Sequence, residues 1–218
     1  MRRCRFFYRN LATCGLLIFV LSGCISAGSS PDPRFYMLKH LGENEIAQKF
    51  TIPSGIITVI GPVEIPQYLD RPQMVTQDDK GMINIAQFDR WGESLDAGIA
   101  RLIIENLNLM LPDGNFEMFP CNFAIPLDYQ VTVDVAQLDN ELDKDMFLAV
   151  QWTIIDSKTG GMLLTKRSEF RQVINPHNYS GLAQALSMSA TSLSSEIAEN
   201  LANLASQPKT KVKASADK

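Results

Sequence analysis

Tyr129-Gln130-Val131-Thr132-Val133-Asp134-Val135 alternates apolar and polar side chains without a break. Successive side chains of a β-strand point to opposite faces, so this run offers one face to a core and one to water. Phe147 to Asp156 is a second long strand, with Leu148, Val150, Trp152 and Ile154 on one face. Between them, Asp139 to Asp145 is an acidic connection and reads as a solvated hairpin tip. The ordered Asp/Gly/Glu spacing of a calcium loop is missing from it. Ser157-Lys158-Thr159-Gly160-Gly161 is another turn, leading into a strand from Met162 to Gln172. Its glycine pair is turn chemistry and not a phosphate cradle, because no helix with Lys and Ser/Thr follows.

Downstream lies the strongest periodic signal of the chain. Leu182, Leu186, Ala190, Leu193, Ile197, Leu201 and Leu204 recur at intervals of three and four, which predicts a helix from Tyr179 to Ala205. Its apolar stripe belongs on the sheet, since a helix normally buries its stripe within its own domain. Upstream, Ser94 to Leu111 is a second helix. Ser94 stands at its N-cap, Asp96 in its first turn, and Ile99, Ile103, Leu107 and Met110 recur at helical spacing. Pro112 and Gly114 stop it.

Earlier still come Arg34 to Leu38, a short strand, and Gly55 to Ile65, an Ile- and Val-rich strand. Pro66 to Pro72 is a loop stiffened by proline at both ends. Gln73 to Gln77 and Met82 to Ile85 flank the turn Asp78-Asp79-Lys80-Gly81, a hairpin. The order is strands, helix, strands, helix. It predicts a single α+β domain, a mostly antiparallel sheet with two helices packed on one face.

The first residues are a secretory signal. Arg2, Arg3, Arg5 and Arg9 form a basic n-region, and Leu11 to Leu21 is an uncharged apolar run too short to span a bilayer. The run ends in Leu21-Ser22-Gly23-Cys24, which matches the bacterial lipobox. Small side chains admit the peptidase, and the Cys24 thiol receives diacylglycerol. Each buried CH₂ of the acyl chains contributes about 0.8 kcal/mol, so several chains, palmitate among them, make a stable anchor. Ile25 lacks the aspartate that marks inner-membrane retention in enterobacterial cells, so the expected location is the periplasmic face of the outer membrane. The expected organisation is a signal peptide over 1–23, the lipidated Cys24 with a flexible tether over 24–33, a folded domain over 34–207 and a Lys-rich disordered tail over 208–218.

Cleavage leaves 195 residues with a formal charge of 16 − 24 = −8. That balance argues against nucleic acid and against electrostatic adhesion to anionic lipid. Of four cysteines only Cys121 remains unmodified, so no intramolecular disulfide forms, and Cys121 reads as a buried small apolar residue. No active site is legible. His40 and His177 sit in no metal-ligand spacing, and neither a G-x-S-x-G elbow nor a G-x-G-x-x-G turn occurs. No cofactor, metal or catalytic residue is expected.

Two runs carry a family resemblance. One is Gly61-Pro62-Val63-Glu64-Ile65-Pro66-Gln67-Tyr68-Leu69-Asp70-Arg71-Pro72-Gln73-Met74-Val75, and the other is Arg90-Trp91-Gly92-Glu93-Ser94-Leu95. Together they resemble the auxiliary lipoproteins of ABC-type and MCE-associated transport, the PqiC/YmbA family. The resemblance extends more loosely over the rest of the mature chain and departs at Gly92 and Ser94, where family members often have Ala and Pro. It implies a non-enzymatic part in lipid transport between the membranes, in support of membrane integrity. The partners it implies are a periplasm-spanning MCE-domain protein and the inner-membrane permease in which that protein is rooted, with a homo-oligomer as a further expectation. An alternative reading with the same anchor is an assembly or pilot lipoprotein for an outer-membrane protein complex.

Within the first run, Tyr68, Leu69 and Arg71 are the candidate partner contacts, since Tyr and Arg are enriched in interface hot spots and a stiff loop loses little entropy on docking. Gly61, Pro62, Pro66, Asp70, Pro72, Arg90, Trp91 and Glu93 are the accompanying structural residues. A second reading of the same loop stays open. Tyr68 and Leu69 would fold over the core, and Arg71 would pair with Asp70, Asp89 or Glu93 to pin the helix start.

Overall fold

The computed structural model describes residues 30–40, 49–78, 80–121 and 126–207. The signal segment, Cys24, most of the tether and the Lys-rich tail lie outside the described residues. The chain divides between Asp32 and Pro33 into two units, and the elements below belong to the second. In order they are β1 (Arg34–Tyr36), β2 (Ile57–Glu64), β3 (Gln73–Gln77), β4 (Ile83–Trp91), α1 (Leu95–Met110), β5 (Asn115–Met118), β6 (Tyr129–Asn140), β7 (Asp145–Asp156), β8 (Met162–Val173) and α2 (Tyr179–Ser206).

The α+β class read from the sequence is observed, with the strands shared between two mixed sheets rather than one. One sheet has the order β5-β2-β6-β7-β8 and the other β1-β4-β3. The long ladders β6–β7 and β7–β8 are antiparallel, as tight turns between consecutive strands require. β2 pairs in parallel with both β5 and β6. For β5 this is possible because β3, β4 and α1 intervene and return the chain to the end from which β2 began, and the connection between β5 and β6 makes the same return for β6. The prolines of Pro66–Pro72 stop β2 from continuing into β3, and this break starts the second sheet.

The alternation at Tyr129–Val135 lays Tyr129, Val131, Val133 and Val135 in the core. The ladder with β7 then slips between Val135 and Gln137, so that Ala136 is an extra residue. A bulge of one residue moves the buried set to the other parity. Leu138 and Asn140 are accordingly buried, and the strand runs on into what the sequence reads as acidic connection. The turn itself is Glu141–Lys144, closed by Lys144 N donating to Glu141 O at 2.9 Å.

α1 lies against β2 and β5, α2 against β7 and β8, and the helices touch each other. The stripe of α2 is buried from Leu182 to Leu201, and Trp152 beneath it is 0% exposed. Between the helices, Asn106 donates to Thr191 Oγ1 and Ser194 Oγ, each at 3.2 Å. α2 begins at Asn178, whose side-chain oxygen accepts from Gly181 N at 3.1 Å. Gly181 is required there, because a Cβ would lie 1.9 Å from Pro176 O.

Candidate functional site

The two runs that carry the resemblance meet in space. Gly61 and Pro62 form the irregularity that interrupts β2 pairing, where the register with β6 shifts between Ile60 and Val63. Gly61 adopts φ +116°, which an L side chain rarely does, and its carbonyl accepts from Gln130 Nε2 at 2.8 Å. Beyond β2 the loop turns at Pro66, whose carbonyl accepts from Leu69 N at 2.8 Å, and again at Arg71, whose N–H donates to Leu69 O at 2.8 Å. At its end Pro72 O accepts from Trp91 N at 2.7 Å, and Gln73 stands opposite Arg90. The loop is thereby fastened along Arg90–Ser94. Asp70–Pro72 and Trp91–Ser94 together line a groove of about 410 Å³.

The three candidate contacts fall into different places. Leu69 is 4% exposed and belongs to the core, so it holds the loop and has no surface to offer a partner. Tyr68 is half-buried against the core, with its hydroxyl donating to Leu138 O at 3.4 Å. Burial, followed by the nearby Asp139 carboxylate, raises its pKa above the usual tyrosine value. These two residues therefore fold back over the core, as in the second reading of the loop. Arg71 does not complete that reading. Glu93 is held by Arg101, through Nε at 3.0 Å and Nη2 at 2.6 Å, and Asp89 is held by Arg34 Nη2 and Tyr36 OH, each at 2.8 Å. Asp70 is exposed at the loop surface and forms no ion pair with Arg71 among the described residues. Arg71 Nε and Arg90 Nε are both buried without a hydrogen-bond partner. Such donors are costly to leave unmatched, and a guanidinium matches carboxylate, phosphate or carbonyl oxygens best.

The frame around the groove depends on Arg101, which the sequence did not single out, and on Asp89. Arg101 on α1 binds Glu93, Glu105 Oε1 at 2.7 Å and Leu38 O at 2.8 Å, and so ties the helix to the β4–α1 link and to the segment after β1. Asp89 is 4% exposed, with its carboxylate satisfied from β1. The i,i+4 spacing of Arg101 and Glu105 was a legible sign, but the eight-residue link to Glu93 was not. Ser94 stands at the N-cap of α1 as expected, yet its side chain makes no capping bond. Gly92 N donates to Tyr36 O at 2.7 Å, which extends the fastening to β1.

Elsewhere the chemistry is sparse. His40 and His177 are both exposed, and His177 Nδ1 lies 3.1 Å from Leu142 O. Cys121 is half-buried rather than fully buried as the sequence suggested, because it follows the exposed Phe119-Pro120 beyond the end of β5. Among the described residues no group of three or more His, Cys, Asp or Glu is placed to hold a metal ion, and no helix is long and apolar enough to cross a membrane.

The family model of the ABC-type transport auxiliary lipoprotein component matches residues 37–198. The chain belongs to this family. The match begins just after β1, ends within α2 and includes both runs that line the groove. Among solved structures, one described as that of an uncharacterized protein superposes with a TM-score of 0.63 at 16% identity, over 78% of this chain and 99% of the other. Protein XCC0632 from Xanthomonas campestris, of family DUF330, superposes with a TM-score of 0.59 at 9% identity, over 76% of this chain and 92% of the other. At these identities the likeness concerns the fold. Among curated proteins none matches this chain. Of the two arginines with an unmatched Nε, Arg71 lines the groove.

Proposed function

We propose that this auxiliary lipoprotein is held by acyl chains on Cys24 at the periplasmic face of the outer membrane. There it serves as a non-enzymatic accessory of an envelope-spanning lipid transport system. Its partners are an MCE-domain protein that spans the periplasm and the inner-membrane permease in which that protein is rooted. The observation that carries the reading is the family match over residues 37–198, which makes the chain a member of the ABC-type transport auxiliary lipoprotein component family. The lipobox Leu21–Cys24 supports the anchor. The meeting of both motif runs at one groove supports docking there, with Arg71 as the principal contact and Tyr68 and Leu69 as the residues that hold it in place.

Capture of the MCE-domain protein and melting temperature, measured together for Arg71→Ala and Tyr68→Ala, test the docking surface. Arg71→Ala is expected to lose capture at an unchanged melting temperature, because its guanidinium forms no ion pair among the described residues. Tyr68→Ala is expected to lower the melting temperature, because the ring packs on the core. Full capture by a folded Arg71→Ala protein would remove the groove from the proposal.

A further inference from the structure

We infer that the β3–β4 hairpin is a second membrane contact beside the lipid anchor, its apolar tip entering the interface of a zwitterionic phospholipid bilayer. This rests on the reading of Cys24 as the acylated residue. Met82, Ile83 and Ile85 are 60%, 43% and 50% exposed, three large apolar side chains within four residues. Exposed apolar patches of this kind mark surfaces that meet a protein or a membrane. The turn that presents them is built rather than frayed. Asp78 Oδ1 accepts from Lys80 N at 3.0 Å and from Met82 N at 2.8 Å, and Gly81 N donates to Asp78 O at 3.0 Å.

The topology decides what meets this tip. β1 runs parallel to β4 and pairs with it only at Asp89–Trp91, with Arg34 opposite Asp89. β1 therefore begins toward the end of the sheet at which β4 starts, the end that bears the hairpin. Arg34 stands level with a point six residues along β4 from Ile83, about 20 Å at about 3.3 Å per residue. The ten residues Cys24–Pro33 reach at most about 33 Å when extended. The tether is thus long enough to pass the tip and too short to let it drift far from the bilayer. A surface held this close has a high effective concentration, which favours the bilayer over any free partner.

Charge selects the lipid. Beside the hairpin a cleft carries Asp78, Asp139, Glu141 and Asp145; Lys144 pairs with Glu141 at 2.7 Å and Arg171 with Asp145 at 2.8 Å, which leaves Asp78 and Asp139 against Lys80 and a net negative charge. Such a surface repels anionic headgroups, so the contact is apolar insertion into zwitterionic lipid.

The test uses the full lipidated protein in vesicles of phosphatidylethanolamine and phosphatidylcholine. The environment-sensitive probe NBD is attached to Ile83→Cys or to Thr159→Cys, each in a Cys121→Ser background. Thr159 lies in the β7–β8 turn, at the far end of the 12-residue strand β7. Flotation of the vesicles with their protein checks the anchor on its own. In floated vesicles, doxyl-labelled lipid should quench the probe at 83 several-fold more than at 159, at low and high salt alike, and less when phosphatidylglycerol replaces phosphatidylcholine. Equal quenching at the two positions overturns the inference while leaving the anchor standing. A blue-shifted probe at 83 that doxyl lipid does not quench also overturns it, since protein, a second copy included, would then cover the hairpin. Failure to float would strike at the anchor and with it the reading on which the inference rests.

Discussion

Leu193→Ala should destabilise the domain by about 3–4 kcal/mol. Leu193 is 1% exposed and sits midway along α2, a helix that packs on β7, β8 and α1. Removing three carbons at about 0.8 kcal/mol per buried CH₂ accounts for about 2.4 kcal/mol. The cavity adds to this, because a site walled by a long helix and a five-stranded sheet collapses little; buried Leu→Ala changes span about 2.7–5.0 kcal/mol. For a domain of this size the loss corresponds to a melting temperature lower by roughly 6–16 °C. Urea unfolding of the chain from Ile25 onward, followed through the buried Trp91 and Trp152, reads the effect directly. An unchanged midpoint with an unchanged slope would refute the packing of α2 and turn its stripe toward a partner.

Asn106→Leu should leave stability unchanged or raise it. Thr191 and Ser194 keep their own donor bonds to Ser187 O and Ala190 O, and the unpaired Asn106 Oδ1 is removed from the core. A loss above about 2 kcal/mol in the same urea assay would contradict this. Burial raises the pKa of Tyr36, Tyr68, Tyr129 and Tyr179. The folded state therefore holds these protons more tightly than the unfolded state, and their contribution is complete below about pH 10 and is lost as pH rises through the folded values. Phenolate absorbance should rise at higher pH in the native protein than in urea; coincident curves would contradict the burial. Cys24→Ala should leave the precursor uncleaved and without acyl chains by intact mass, whereas cleavage at another position would remove the lipobox reading.

The elements with clean periodicity were legible in the sequence. Those whose pattern is broken by tertiary geometry were not. The stripe of α2 and the alternation of β6 and β7 each repeat over enough residues to reveal their period. The bulge at Ala136 hides the last third of β6, because Leu138 and Asn140 change parity and an acidic composition then reads as loop. β5 has one buried side chain, Phe116, in four residues, which leaves no alternation to detect. The parallel pairing of β2 with β5 and β6 is a matter of which elements intervene in space, and hydrophobic pattern does not encode it. At the candidate site, the two motif runs were legible as sequence, and so was the stiffness of Pro66–Pro72. That Leu69 turns inward, that Glu93 is taken by Arg101 and that Arg71 is left with an unmatched donor all depend on contacts across the chain.

The most direct test of the functional reading is affinity purification of the lipidated protein from detergent-solubilised membranes, with its partners identified by mass spectrometry. Recovery of an MCE-domain protein together with its inner-membrane permease is expected, diminished by Arg71→Ala. Enrichment of an outer-membrane channel or secretin in their place, insensitive to Arg71→Ala, would contradict it.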